Sequence, residues 1–412
     1  MFLESMEQEL SSLKQVLSPL LEKHDKLNDR ILALKALLTP ARRLLPELLS
    51  EVFTHANHAE SELHSGALLL SRPRVYDTPL KLGRICRRWR QIAMSTPSLW
   101  SGVGIPAYWR AEGLREWTSR AGSGKFSFSI FVGQQDVEVL NLLASSQKRW
   151  KDVILHFDPS LAGHQLFREF LQSLSCSFDN LQTLNIYRTP PSGGPPSPAN
   201  VELILGVDSA PNLRSLYLNA PQIKILTVEM LPFPCLREIK VESDPIPAAD
   251  FFSLLQLSPA VEVVHAYVAY IPDSDDTRHE VLTLSNLKHL EVSEQYVLEG
   301  HRLCPLEKLD LPALERLSFR FADRWNPSPI FSPNGQGPHI RSLIYNSRPP
   351  LTSLRIRGCR MPAADIASCI PFLPNLSCID IEHLGASDVW DGVVQLLTGP
   401  IPPSDENLSG CY

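Results

Sequence analysis

The stretch Cys86 to Trp100, CRRWRQIAMSTPSLW, gathers a thiol, three arginines and two tryptophans. Residues of these types could make a cysteine nucleophile whose thiolate is favoured by neighbouring guanidinium groups. They could instead form a basic helix for nucleic acid, or a surface that holds another protein. Helical spacing puts Cys86 with Trp89, Ile92 and Ala93 on one apolar face, and Thr96-Pro97 ends the helix. A thiol on that face reads as a small buried hydrophobe, not a nucleophile. The whole chain carries 39 Lys+Arg against 45 Asp+Glu, a net charge of −6, with no basic run. Arg87, Arg88 and Arg90 therefore read as the solvated side of the helix, and no nucleic-acid partner is expected.

Other candidate chemistries fail on spacing. AGSGKF (121–126) has the Gly-Lys of a phosphate loop, but Ser119 stands where the first glycine belongs and Phe126 where a hydroxyl would hold magnesium. The acidic DSDD (273–276) reads as a solvated loop before it reads as a cation site. No Gly-x-Ser-x-Gly, His-Glu-x-x-His or Gly-x-Gly-x-x-Gly occurs. Cysteines 86, 176, 235, 304, 359, 369, 378 and 411 include no Cys-x-x-Cys pair, so they are expected as buried free thiols. No catalytic residue, cofactor or metal is expected, and the chain does not read as an enzyme. The acidic start MFLESMEQELSSLKQ does not suit a signal peptide, and no apolar run approaches about 20 residues. The expectation is a cytoplasmic or nuclear protein with no membrane partner.

Three kinds of element would position these residues. Leu3, Met6, Leu10, Leu13, Leu17, Leu20, Leu27, Ile31, Leu34 and Leu38 step by alternate threes and fours, interrupted only at His24, with Glu7, Glu9, Lys14, Lys23, Arg30 and Lys35 beside them. That is a heptad seam over a helical leader, 1–38. Pro19 leaves one rod and two helices meeting near Ser18 equally open. The seam serves either self-association or packing on its own domain. Residues 40–105 form a short all-helical unit. One helix opens at Pro46-Glu47 with Leu48, Leu49, Val52 and Phe53 on one face, and a second spans PLKLGRICRRWRQIAMSTP with Leu82, Ile85, Cys86, Trp89, Ile92 and Ala93 inward.

From Trp100 on, the phrase L-x-x-L-x-L recurs. Its copies begin at Leu181, Leu213, Leu236, Leu287, Leu314, Leu351 and Leu376, with a weaker one at Val261 and tryptophan-led ones at Trp100 and Trp150. Most steps fall in the range of a leucine-rich repeat. Two are lengthened by the Pro/Gly/Ser insertions at 189–200 and 326–338, which cannot join a strand or helix. Each copy reads as a strand with its second and third apolar positions buried, and segments such as PAADFFSLLQLSPA read as helices between strands. The fold class expected is α/β: a leucine-rich-repeat solenoid over 106–398 behind the helical unit, with 399–412 a flexible tail.

LLPELLSEVF and LGRICRRWRQIAMSTPSLW together resemble the F-box, and the order of helical leader, F-box and leucine-rich repeats is similar to the large F-box family of mushroom-forming fungi. The usual Leu-Pro-x-Glu opening here reads Leu44-Leu45-Pro46-Glu47, with the proline one place late. The resemblance implies a substrate adaptor whose F-box binds a Skp-type adaptor of a cullin-RING ubiquitin ligase and whose repeats capture the protein to be ubiquitinated. It places the adaptor surface on Leu44, Leu45, Pro46, Leu48, Leu49 and Phe53. The alternative is a free-standing repeat scaffold outside any ligase.

Positions alternating with the buried leucines give the substrate face. They include Tyr217 and four arginines on adjacent strands, Arg316, Arg320, Arg355 and Arg357, a basic patch suited to an acidic or phosphorylated segment. Pairing of these arginines with Glu291, Asp380 and Glu382 is the competing arrangement.

Overall fold

The computed structural model describes residues 2–37, 44–62, 70–107, 109–157, 160–174, 178–188, 201–204, 210–219, 223–226, 233–269, 281–295, 306–322, 337–357 and 368–382. The insertion 189–200, most of 326–338, the DSDD cluster, Leu38, four of the cysteines and the tail 399–412 lie outside them. The chain divides into two compact units, Met1–Leu99 and Trp100–Tyr412.

In the first unit, α1 (Phe2–Leu37) is one continuous helix that runs through Pro19. No break occurs near Ser18. Pro19 sits two residues beyond the seam residue Leu17, on the outer side, where water can satisfy the carbonyl that the proline leaves without a donor. Helix α2 (Pro46–Glu62) begins with proline in the first turn, where its missing N–H costs nothing. Helix α3 is shorter than the sequence suggests, Arg87–Met94. A 3-10 turn at Leu82–Arg84 precedes it, and Cys86 adopts extended backbone so that its sulfur accepts from the Trp89 N–H as the N-cap. Ile85 on that turn is therefore 57% exposed, not inward. The core closes where Leu49 and Phe53 of α2 meet α3, with the Phe53 and Trp89 rings 4.8 Å apart and Ile92, Ala93 and Leu99 buried beside them. Two arginines fasten this unit instead of merely facing solvent. Arg88 donates to the Leu44 carbonyl, and Arg90 Nε donates to the Gly83 carbonyl at 2.7 Å.

The second unit is α/β. Its strands in chain order are β1 (Gly102–Gly104), β2 (Phe126–Phe131), β3 (Trp150–Phe157), β4 (Thr183–Arg188) and β5 (Val201–Ile204). There follow β6 (Ser215–Asn219), β7 (Ile223–Leu226), β8 (Glu238–Pro247), β9 (Val263–Ala269) and β10 (Leu282–Thr283). The last are β11 (His289–Gln295), β12 (Leu309–Asp310), β13 (Arg316–Ala322), β14 (Ser353–Arg357) and β15 (Cys378–Glu382). Eleven of them form one sheet in the order β1-β2-β3-β4-β6-β8-β9-β11-β13-β14-β15. Each pairs parallel with the next, and two small pairs, β5 with β7 and β10 with β12, stand apart.

Every copy of the sequence phrase leads into a strand of this sheet. The leading Leu181, Leu213, Leu236, Leu287, Leu314 and Leu351 are buried, as are pairs such as Leu184 with Ile186 and Leu317 with Phe319. At about 1.5–3 kcal/mol for each fully buried side chain, this repeated burial is the main stabilising term. The turns before β4, β6 and β11 are each tied by a side chain to the preceding turn. Side-chain amides of Asn180, Asn212 and Asn286 donate to the carbonyls of Lys148, Asp179 and Pro259, satisfying backbone that the strands leave unpaired. Strand β2 is not in the expected series: FSFSIF has no leading leucine, although it alternates buried Phe126, Phe128 and Ile130 with other residues. It fills the double-length gap between Trp100 and Trp150.

Helices lie between strands as expected: α4 (Ala111–Arg120), α5 (Val137–Ser145), α6 (Leu161–Ser173), α7 (Ala248–Gln256) and α8 (Gly337–Ser347). The end of the second insertion is corrected, because Gly337-Pro338 opens α8, which buries Ile340, Leu343 and Ile344. Among the described residues no helix is long and apolar enough to cross a membrane.

Candidate functional site

Two surfaces, one on each unit, carry side chains that the fold itself does not use. On the first unit, α2 separates the predicted adaptor set into two faces. Leu49 and Phe53 are each 1% exposed and belong to the core. Leu45, Leu48 and Val52, spaced by three and four, are 62%, 51% and 52% exposed. Pro46 is also exposed, and Leu44 is half-buried with its carbonyl held by Arg88. The physical reason is the 100° step of the helix: Leu48 and Leu49 are consecutive, so they cannot both face α3. What remains is a narrow apolar stripe along a helix anchored from behind.

On the second unit, the sheet's outward-facing side chains form rows across the strands, set by the parallel register. One row runs Ile154, Asn185, Tyr217, Lys240, His265, Glu291, Ser318, Arg355 and Asp380. The next contains Phe131, His156, Tyr187, Asn219, Ser293, Arg320 and Arg357. Chemistry changes along these rows. At the β2 to β6 end, aromatic rings stack strand to strand: Phe131 on His156 at 4.5 Å, His156 on Tyr187 at 5.1 Å, and Tyr187 against Tyr217 at 4.8 Å. The Tyr217 hydroxyl donates to Glu242 Oε2 at 2.5 Å and accepts from the Asn219 amide at 3.1 Å. Burial and the Glu242 hydrogen bond push its pKa up to about 12. Tyr187 is raised as well, by burial and then by the Glu242 charge, and burial lowers His156 below the ordinary imidazole range. At neutral pH this row is uncharged, apolar on its ring edges and acidic at its Glu242 end.

The centre of the face is mixed. Glu238 bonds Lys240 at 2.6 Å and Ser215 at 2.9 Å; burial pushes its carboxyl up, but those donors outweigh it and hold it low. His265 lies 3.5 Å from Glu291. A hollow of about 400 Å³ here is lined by Glu242, His265, Tyr267, Glu291, Ser293 and Arg320.

At the β13 to β15 end the predicted arginines come together as their positions require, Arg320 beside Arg357 and Ser318 beside Arg355. They are not equally available. Asp380 accepts from Arg355 Nε at 2.9 Å and from Arg357 at 3.0 Å. The Arg357 hydrogen bond and the two guanidinium charges hold its carboxyl below the usual carboxylate range. Glu291 faces His265 and not an arginine. Arg316 and Arg320 are exposed and make no ion pair among the described residues. The basic patch is thus two arginines committed to Asp380 and two open ones. Arg316 and Arg355 line a second hollow of about 460 Å³ with His289, whose pKa is lowered by burial and by the Arg316 charge.

Of the aromatic row, Tyr187 and Tyr217 stand at outward positions that the repeat phrase gives from sequence, whereas Phe131 belongs to the unrecognised β2 and His156 falls near the end of its strand. Of the cysteines within the described residues, Cys369 is buried, Cys86 and Cys235 are half-buried and Cys378 on β15 is exposed, contrary to expectation. Among the described residues no group of His, Cys, Asp and Glu could hold a metal ion. No protein-family model matches the chain, and a comparison with curated proteins finds no match.

Proposed function

We propose that this chain is the substrate-recognition adaptor of a Skp–cullin–F-box ubiquitin ligase. On this reading the helical unit is an F-box that binds a Skp-type adaptor, and the second unit is a leucine-rich-repeat solenoid that binds the target protein. The observation that carries it is the stripe of Leu45, Leu48 and Val52, more than half exposed on a helix whose other face is locked into a small core. Such a stripe suits a partner that buries it, because exposed contiguous apolar surface otherwise favours aggregation. Leu49 and Phe53 act from behind, holding the helix in place. The stacked rings and open arginines of the sheet's outward face supply contact residues of the kind that dominate protein interfaces. The chain performs no chemistry itself, needs no cofactor, and works in the cytoplasm or nucleus.

Co-purification with a recombinant Skp-type adaptor tests the reading. The full chain is expected to form a stable complex, and Leu48→Glu with Val52→Glu to abolish it, since a carboxylate buried without a partner costs several kcal/mol. If the unaltered chain fails to bind, the reading falls and a free-standing repeat scaffold replaces it.

A further inference from the structure

Helix α1 leaves its heptad seam bare. Leu3, Met6, Leu10, Leu13, Leu17, Leu20, Leu27, Ile31 and Leu34 are each between 48% and 74% exposed. No other element among the described residues of the first unit covers them. The helix runs 36 residues, about five heptads, longer than the three or four that a coiled coil needs. With Leu3 at position a, the a positions are 3, 10, 17, 24 and 31 and the d positions are 6, 13, 20, 27 and 34. Pro19 falls at c, on the far side from the seam, so its lost hydrogen bond does not disturb a partner helix.

The flanking charges decide which partner orientation fits. In a parallel pairing of two copies, position g of one helix meets e of the next heptad on the other. Glu9 would then face Lys14, but Arg30 would face Lys35, and His24 would stack on its own copy inside the seam. In an antiparallel pairing g meets g and a meets d. Centring the overlap on Leu17 and Leu20 sets Leu3 against Leu34, Met6 against Ile31, Leu10 against Leu27 and Leu13 against His24. Glu9 then faces Arg30 at both ends of the overlap, and the remaining flanking pairs are Val16 with Lys23, Glu7 with Asn28 and Lys14 with Leu21. No like charges meet, and each histidine is placed against a leucine. Lys14 and Lys23 can lay their methylene stems on the apolar residue opposite and keep the ammonium in water.

We infer that two copies of this protein associate through α1 as an antiparallel two-stranded coiled coil. The inference does not depend on the proposed function. If both hold, the ligase adaptor is a dimer presenting two helical units and two sheets.

The test is sedimentation equilibrium of the full chain at micromolar concentration, with charge variants at exposed positions of α1. The unaltered chain is expected to be dimeric. Arg30→Glu sets Glu9 against a glutamate twice in the antiparallel arrangement and should weaken the dimer about tenfold. Adding Glu9→Arg restores both pairs and should recover the dimer. In a parallel arrangement Arg30→Glu would instead face Lys35 and tighten association. A monomer at tens of micromolar overturns the inference, as does tighter or unchanged association in Arg30→Glu, or failure of the double variant to recover.

Discussion

Truncating Leu49 and truncating Leu48 should have opposite consequences, although the two are neighbours of one type. Leu49 is 1% exposed, so Leu49→Ala removes three carbons from a closed core. The transfer term alone is about 2.4 kcal/mol at roughly 0.8 kcal/mol per methylene. Any cavity that Phe53 and Ile92 fail to fill adds to it, towards about 5 kcal/mol. Leu48 is 51% exposed, so Leu48→Ala loses half as much burial at most, about 1 kcal/mol or less. Hydrogen exchange of peptides covering α2 and α3 reads this difference within the full chain. Leu49→Ala should accelerate exchange across both helices, and Leu48→Ala should leave it nearly unchanged. Binding to a Skp-type adaptor should respond the other way per unit of stability lost. Leu48→Ala should weaken it by about ten- to a hundredfold, the worth of one leucine buried at an interface. Equal protection in the two variants would refute the assignment of inner and outer faces. Undiminished adaptor binding in Leu48→Ala would refute the role of the stripe.

Further outcomes follow from the second unit. The raised pKa of Tyr217 means that its contribution to stability is complete below about pH 10 and is lost as pH rises through about 12. Tyr217→Phe should remove one late step from the tyrosinate absorbance titration. The lowered pKa of His156 has the opposite sense: its contribution is present above about pH 6.5 and is lost as pH falls through the depressed value, so His156→Phe should flatten the acid limb of a thermal-stability profile. Asp380→Asn releases Arg355 and Arg357 and should strengthen binding of an acidic or phosphorylated probe peptide, measured by fluorescence anisotropy. At Gly113 an added Cβ would lie 2.6 Å from Trp109 Nε1, forcing that indole off its edge contact with Trp117. Gly113→Ala should cost about 1–3 kcal/mol of overpacking, more than the roughly 1 kcal/mol of helix propensity gained, with a matching loss of near-ultraviolet dichroism.

Much of the architecture was legible because it is written in period. A strand alternates its side chains, so L-x-x-L-x-L names both the strand and its buried face, and ten copies placed ten of the eleven strands of the main sheet. The heptad of α1 was legible for the same reason, since apolar steps of three and four define a stripe before any partner is known. Where the signal was a single residue instead of a period, the outcome was less direct. Pro19 did not divide α1: it removes one hydrogen bond from a 36-residue helix that is exposed to water, which can satisfy the carbonyl left without a donor. Strand β2 escaped because the copy lacks its leading leucine and keeps only the alternation.

Read along the chain alone, the residues specify the α/β class, the order of helical leader, helical unit and strands, and the outward side chains of the ten strands that follow a copy of the repeat phrase. These are local properties of the chain, fixed by backbone geometry and the spacing of apolar residues. Only the tertiary structure decided which of two consecutive leucines enters the core, because that depends on where α3 lies against α2. It also decided that Arg355 and Arg357 converge on Asp380 while Arg316 and Arg320 stay open, and that rings from four strands stack into one row. Those outcomes rest on the register between strands far apart in the chain, and on distances of a few ångströms that no one-dimensional pattern records.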